Sequence, residues 1–104
     1  MLTKRALKSL LNAFQNDLLV NGLTPKKLLL FGSYAKGGVH AYSDVDVAVW
    51  SDQFTGDGMT DYEKAKPVLK KYPILQAKLY PDFADENNFD PFIGEIKRTG
   101  VIIL

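Results

Sequence analysis

The sequence predicts an α+β (mixed α/β) fold, in which a small mixed β-sheet of about four strands is flanked by helices. Two patterns predict it. Apolar residues recur at helical spacing over residues 3–19, and polar and apolar residues alternate with a period of two over residues 44–50. The length of 104 residues is enough to bury one modest core but not two. We therefore expect a single domain over residues 1–104.

The composition and the charge limit the classes of protein to which this chain can belong. Hydrophobic residues make up 46% and charged residues 24%, as in ordinary globular domains. Thirteen Lys and Arg against twelve Asp and Glu give a net charge of +1, which disfavours binding to a nucleic-acid backbone. The chain has no cysteine, which excludes disulfides and thiolate metal sites. The start carries no apolar segment long enough for a signal peptide or a membrane span, so we expect a cytoplasmic protein without a membrane partner.

The first elements follow from apolar spacing and breakers. An amphipathic helix over residues 3–19 ends at Asn21-Gly22. The apolar run KLLLF at 27–31 predicts a strand buried on both faces, and residues 33–38 predict a short helical turn. The alternating residues 44–50 predict the second strand.

The second half of the chain repeats the order of helix and strand. Residues 61–72 predict a helix, which either kinks at Pro67 or gives way there to a new short helix. Residues 74–80 predict the third strand and the acidic segment 82–88 a loop. Asp90 is predicted to cap a helix that begins at Pro91 and carries Phe92, Ile93 and Ile96 on its apolar face. Residues 101–104 predict the closing strand.

Gly32 and Ser33 stand where the buried first strand passes into the helical turn. Free backbone N–H groups and the positive end of the turn can face an anion there, and phosphate is the anion most commonly bound at such a turn. Gly32 lets a phosphate approach the backbone closely, and Ser33 can donate its hydroxyl and cap the turn. Taken alone, a Gly-Ser pair more often forms a plain turn and cap than a phosphate site.

Asp44 and Asp46 share one face of the second strand, because side chains alternate along a strand, and the valines share the other. Two like charges so close repel each other unless water or a cation lies between them. Hard oxygen ligands suit Mg²⁺, with Mn²⁺ as an alternative ion, completed by water and phosphate. The alternative interpretation is an amphipathic edge strand with a solvated acidic face.

Ten residues separate Gly32-Ser33 from Asp44-x-Asp46, in the segment GSYAKGGVHAYSDVDVAV. This spacing resembles the signature of the polymerase-beta-like nucleotidyltransferase superfamily. Within it the chain looks most like the minimal nucleotidyltransferases, small bacterial and archaeal proteins that are little more than a catalytic core. The opening helix and the ending PFIGEIKRTGVIIL are also similar to the family pattern.

The resemblance implies a site for ATP or another nucleoside triphosphate. Gly32, Ser33 and Lys36 would hold the triphosphate, while Asp44 and Asp46 would hold Mg²⁺ and be catalytic. A nucleoside monophosphate, in the first place AMP, would then pass to a hydroxyl. Lys36 stands where the family often has arginine, so the charge is kept but the planar bidentate fork is lost.

The chain departs from the family pattern on the third strand, where active members carry a third acidic residue. Gln76 aligns there, and its amide carries no charge and cannot accept a proton at neutral pH. Lys78 shares its face, and an ammonium there would oppose metal binding. Asp82 and Asp85 are available in the following loop, where solvated acids are the more common case.

The remaining polar and aromatic residues favour ordinary roles. A lone His40 is more often solvated than catalytic. Tyr34 and Tyr42 are interpreted as packing residues, and Trp50 as a residue of the core or of a partner interface.

Three functions remain open. The resemblance implies transfer to a separately encoded helical HEPN-type protein, with this chain as the antitoxin of a toxin–antitoxin pair. The alternative is a catalytically weakened nucleotide- or partner-binding module that neutralises its partner by contact, which Gln76 and Lys78 favour. A third is a small-molecule nucleotidyltransferase of the antibiotic-modifying kind, which would need a homodimer to form its acceptor pocket.

Overall fold

A computed structural model describes residues 2–37 and 44–103. It has four helices and four strands in that part of the chain, so the predicted α+β fold is confirmed. The division into one domain over residues 1–104 stays a prediction. The elements are α1 (Lys4–Val20), β1 (Lys27–Phe31), α2 (Ser33–Lys36), β2 (Val45–Ser51), α3 (Gly58–Leu69), β3 (Leu75–Pro81), α4 (Phe92–Thr99) and β4 (Val101–Ile102).

The four strands form one mixed sheet in the order β3-β2-β1-β4. β1 pairs antiparallel with β2 and with β4, whereas β2 pairs parallel with β3. Helix α3 makes the crossover that the parallel pair requires. β2 is therefore an internal strand, and the interpretation as a solvated edge strand is wrong. Ala48 and Trp50, which share the face of Asp46, are both buried.

Each face of the sheet carries its own core. Helices α1 and α3 cover the face to which the β2 valines point, through Leu11, Phe14, Leu18, Ala65 and Val68. Helix α4 covers the opposite face, through Ile93 and Ile96 packed on Leu29, Phe31, Ala48 and Trp50. Trp50 donates its indole N–H to the Ala84 carbonyl at 3.0 Å. It is thus a core residue, one of the two roles expected of it.

The helix boundaries follow from local capping. Thr3 caps α1 by accepting from the Ala6 N–H at 3.1 Å, as its hydroxyl suits it to do. Asp57 likewise caps α3, whose start therefore lies three residues before the predicted one. Pro67 lies inside α3, so no separate helix begins at that proline. In the described part of the chain, no helix combines the length and apolarity needed to cross a bilayer.

Candidate functional site

The site begins where β1 ends. Gly32 follows Phe31 with φ +71° and ψ −150° and is the N-cap residue of α2. Its carbonyl accepts from the N–H groups of Ala35 and Lys36 at 3.1 and 3.0 Å. The expectation that Ser33 caps this turn is wrong, because Ser33 is already the first helical residue. A glycine cap has no side chain to occupy the first N–H groups of α2, which leaves them to solvent or a ligand.

Gly32 lies directly against Asp46. The β1–β2 register pairs Phe31 with Asp46, which brings the carboxylate beside the following glycine. A Cβ added to Gly32 would come far inside 3.0 Å of Asp46 Oδ2 and to 3.1 Å from Asp46 Cγ. The two halves of the sequence motif therefore meet in space, and only glycine fits between them.

Asp44 precedes β2 and is exposed, whereas Asp46 is half-buried. Both line the same cleft. Burial raises the pKa of the Asp46 carboxyl, and the negative charge of Asp44 raises it further, while Lys78 lowers it. The two carboxylates thus repel each other within one electrostatic environment, and a bound cation would relieve that repulsion.

The neighbouring strand β3 adds an amide and an ammonium to this face. The parallel register places Gln76 beside Asp46 and Lys78 beside Ala48. Gln76 and Lys78 are both exposed and line the cleft. Gln76 therefore lies on the third strand next to the carboxylate pair, and its alignment with the family's third acidic residue stays a prediction.

Helix α4 closes the other side of the cleft with three residues that sequence reasoning missed as site residues: Phe92, Glu95 and Thr99. Phe92 was expected on the apolar face of α4, but 42% of it is exposed. Glu95 Oε1 lies 3.9 Å from Lys36 Nζ. The spacing of Phe92, Glu95 and Thr99, by three and four residues, predicts that they share one face of the helix. Only the packing of α4 on the sheet shows that this face borders the cleft.

The cleft has a volume of about 620 Å³, which is within the range of small-molecule sites. Its charged residues are two lysines and three carboxylates: Lys36, Lys78, Asp44, Asp46 and Glu95. Apolar groups, including Phe31, Phe92 and Ile96, form the remainder of the wall. Such a mixture can bind a ligand that has both a charged and an aromatic part.

The donor set fits one hard divalent cation. Asp44 and Asp46 offer carboxylate oxygens to one cleft, and Mg²⁺ takes one or two carboxylates together with waters and substrate phosphates. Among residues 2–37 and 44–103, no group of three or more His, Cys, Asp or Glu side chains gathers as a metal cluster. A site that depended on protein ligands alone would need such a cluster.

Three further sequence candidates among the described residues do not line the cleft: Tyr34, Asp82 and Asp85. His40 and Tyr42 lie outside the described residues. Tyr34 accepts a hydrogen bond from the Leu2 N–H at 3.0 Å and packs against the α1–α3 core, in line with the packing role expected. Asp82 is exposed to solvent, and Asp85 accepts hydrogen bonds from N–H groups of its own loop.

Comparison with protein-family models gives a match to the nucleotidyltransferase domain over residues 7–102. The chain belongs to this family. A search of the curated proteins found no match. Among solved structures, this nucleotidyltransferase domain is similar to a chain described as "Crystal structure of the toxin-antitoxin with AMP-PNP", with a TM-score of 0.63 and 21% identity, over 93% of this chain and 72% of the other. At that identity, the likeness shows the fold alone.

Proposed function

We propose that this nucleotidyltransferase domain transfers a nucleoside monophosphate, in the first place AMP from ATP, to a hydroxyl on a partner protein. We propose further that it is the antitoxin of a cytoplasmic toxin–antitoxin pair whose toxin is a helical HEPN-type protein. The contact of Gly32 with Asp46 carries the proposal, because it joins a phosphate-binding turn to a carboxylate pair. The structurally similar chain from a toxin–antitoxin crystal with AMP-PNP supports it.

We propose for these residues the roles that the family pattern implies; all of them except Ser33 line the cleft. Gly32, Ser33 and Lys36 bind the triphosphate, and Asp44 and Asp46 hold one Mg²⁺ or Mn²⁺. The bound ion supplies positive charge against the phosphates. The acceptor oxygen attacks the α-phosphorus, the bond from that phosphorus to the oxygen of the β-phosphate breaks, and pyrophosphate leaves. The hydroxyl proton passes to water, because the Gln76 amide cannot accept it.

Lys36 has to be free to meet the triphosphate. Its ion pair with Glu95 is 3.9 Å long, and the side chains of Lys36 and Glu95 are 57% and 40% exposed. Such surface pairs contribute little to stability. A highly charged triphosphate can therefore replace Glu95 as the ion partner of Lys36 at a small cost in free energy.

Transfer of labelled AMP tests the proposal. The purified chain is incubated with its partner, Mg²⁺ and α-³²P-ATP, and the proteins are separated on a gel. We expect label on the partner, and expect Asp44→Asn and Asp46→Asn to abolish it. The control is Asp52→Asn, since Asp52 is an exposed carboxylate whose ion partner is Lys26 and which lies outside the cleft. Label that persists when both cleft carboxylates are replaced would contradict the proposal.

A second candidate is a binding module that neutralises its partner by contact. The position of Gln76 and Lys78 beside the carboxylate pair favours it, because neither residue can act as a base or as an anionic metal ligand at neutral pH. In cells that produce the partner, the double variant Asp44→Asn/Asp46→Asn separates the two functions. Protection retained by that variant supports neutralisation by contact, and protection lost supports transfer.

A further inference from the structure

Lys78 projects from an edge strand into the cleft. β3 is the outer strand on one side of the sheet, and Lys78 lies opposite Ala48, on the same sheet face as Asp46. Its side chain is exposed and lines the cleft together with Asp44, Asp46 and Lys36. The ammonium is therefore directed at the space in which the proposed triphosphate lies.

An aromatic pair lies against this ammonium. Lys78 Nζ lies 5.3 Å from the centroid of the Phe92 ring, within the range of a cation–π contact. Phe92 in turn makes an edge contact with Phe31, with ring centroids 6.0 Å apart. None of the ion pairs found among the described residues includes Lys78, so its charge remains available to a ligand.

The same charge acts on any metal in the cleft. Sites with two metal ions place a cation at both the attacking and the leaving oxygen of the displaced phosphoryl group. Here the second strand and the residue before it supply two carboxylates, Asp46 and Asp44, while β3 supplies a neutral amide and an ammonium. An ammonium repels a second divalent cation and attracts phosphate oxygens.

We propose that Lys78 binds the triphosphate in place of a second divalent cation, so that the site takes the nucleotide with one metal ion. Phe92 is the positioning residue that directs the ammonium to the phosphates. The inference rests on the proposed nucleotide site and specifies how its charge is balanced. Lys78 then assists binding in this chain instead of only opposing metal.

The number of bound metal ions is the first test. Mn²⁺ is titrated into the folded protein saturated with AMP-PNP, and electron paramagnetic resonance counts the ions held in the complex. We expect one Mn²⁺ per complex. Two ions per complex would overturn the inference.

Calorimetry of AMP-PNP with Mg²⁺ is the second test. Lys78→Gln is expected to weaken affinity by about tenfold to a hundredfold, the loss of one charged hydrogen bond to phosphate. The matched control Lys71→Gln replaces an exposed lysine outside the cleft and is expected to bind like the wild type. Unchanged affinity in Lys78→Gln would overturn the role of Lys78 and leave the nucleotide site standing. A wild type that binds no AMP-PNP would overturn the nucleotide site and the inference together.

A double-mutant cycle isolates the role of Phe92. Phe92→Leu keeps an apolar side chain beside Phe31 but removes the ring that contacts Lys78. We expect it to weaken binding in the wild type and to have almost no further effect in Lys78→Gln, because the two residues then act as one unit. Losses that add up would show that Phe92 does not act through Lys78.

Discussion

Replacement of Gly32 by alanine tests the contact on which the site depends. Gly32 has φ +71° with ψ −150°, a region almost restricted to glycine, and a residue forced there costs about 1–3 kcal/mol. The new Cβ would also meet the Asp46 carboxylate, and overpacking of this kind costs about 1–3 kcal/mol more. We expect Gly32→Ala to lower the free energy of unfolding by about 2–6 kcal/mol.

Urea unfolding followed by circular dichroism measures that loss, and Gly37→Ala is the matched control. Gly37 also has a positive φ, of +90°, but no atom of the described residues lies within 4 Å of its added Cβ. It should therefore lose only the conformational contribution, about 1–2 kcal/mol. The difference between the two variants reports the collision with Asp46.

The collision also predicts a coupling between the two positions. In an Asp46→Ala background the carboxylate is absent, so Gly32→Ala should cost about 1–3 kcal/mol less than in the wild type. Calorimetry should show weaker binding of AMP-PNP by Gly32→Ala and normal binding by Gly37→Ala. If Gly32→Ala is no less stable than Gly37→Ala and binds the nucleotide normally, the reasoning from this contact is refuted.

Two further predictions concern buried polar groups. The buried Asp61 accepts from Thr55 N, Thr55 Oγ1 and Gly56 N at 2.8–3.1 Å, so Asp61→Ala should lower the free energy of unfolding by about 2–4 kcal/mol. In urea unfolding, a loss no larger than that of Asp57→Ala, an exposed cap, would contradict this. Burial, with the Asp90 carboxylate, raises the pKa of Tyr80 to about 12 from an ordinary 10.0. The raised pKa of Tyr80 therefore contributes stability that is present below about pH 10 and lost as the pH rises to about 12. Tyr80→Phe should flatten this decline in the free energy of unfolding with pH. An unchanged slope of that free energy against pH would count against the prediction.

The sequence predicts the motif residues of the site better than it predicts the strands and helices that surround them. Gly32 and Asp46 were expected together because their spacing matches the family motif, and the antiparallel pairing of β1 with β2 explains how they meet. The alternation in β2 also predicted correctly that the valines share one face, which the structure shows to pack against α1 and α3. It could not show that β2 is internal, because that depends on a parallel partner reached through α3.

The α4 side of the cleft could not be predicted from spacing. Glu95 reads as an ordinary solvated acid of an amphipathic helix, and Phe92 as part of its apolar face. Only the packing of Ile93 and Ile96 on the sheet turns both of them toward the cleft. The role of Asp61 escaped prediction for a similar reason, since its partners lie in the loop that folds back over the start of α3.

The two cores on opposite faces of the sheet have a consequence for how this protein can diverge. In the described part of the chain, the α1–α3 core contains 13 buried residues and the α4 core 8, with none in common. Stability rests mainly on the larger core, whereas the cleft borders the smaller one. Changes at the α4 residues that line the cleft, Phe92, Glu95 and Thr99, leave the larger core intact. Helix α4 is therefore the wall of the cleft that can vary in sequence while the larger core keeps the chain folded.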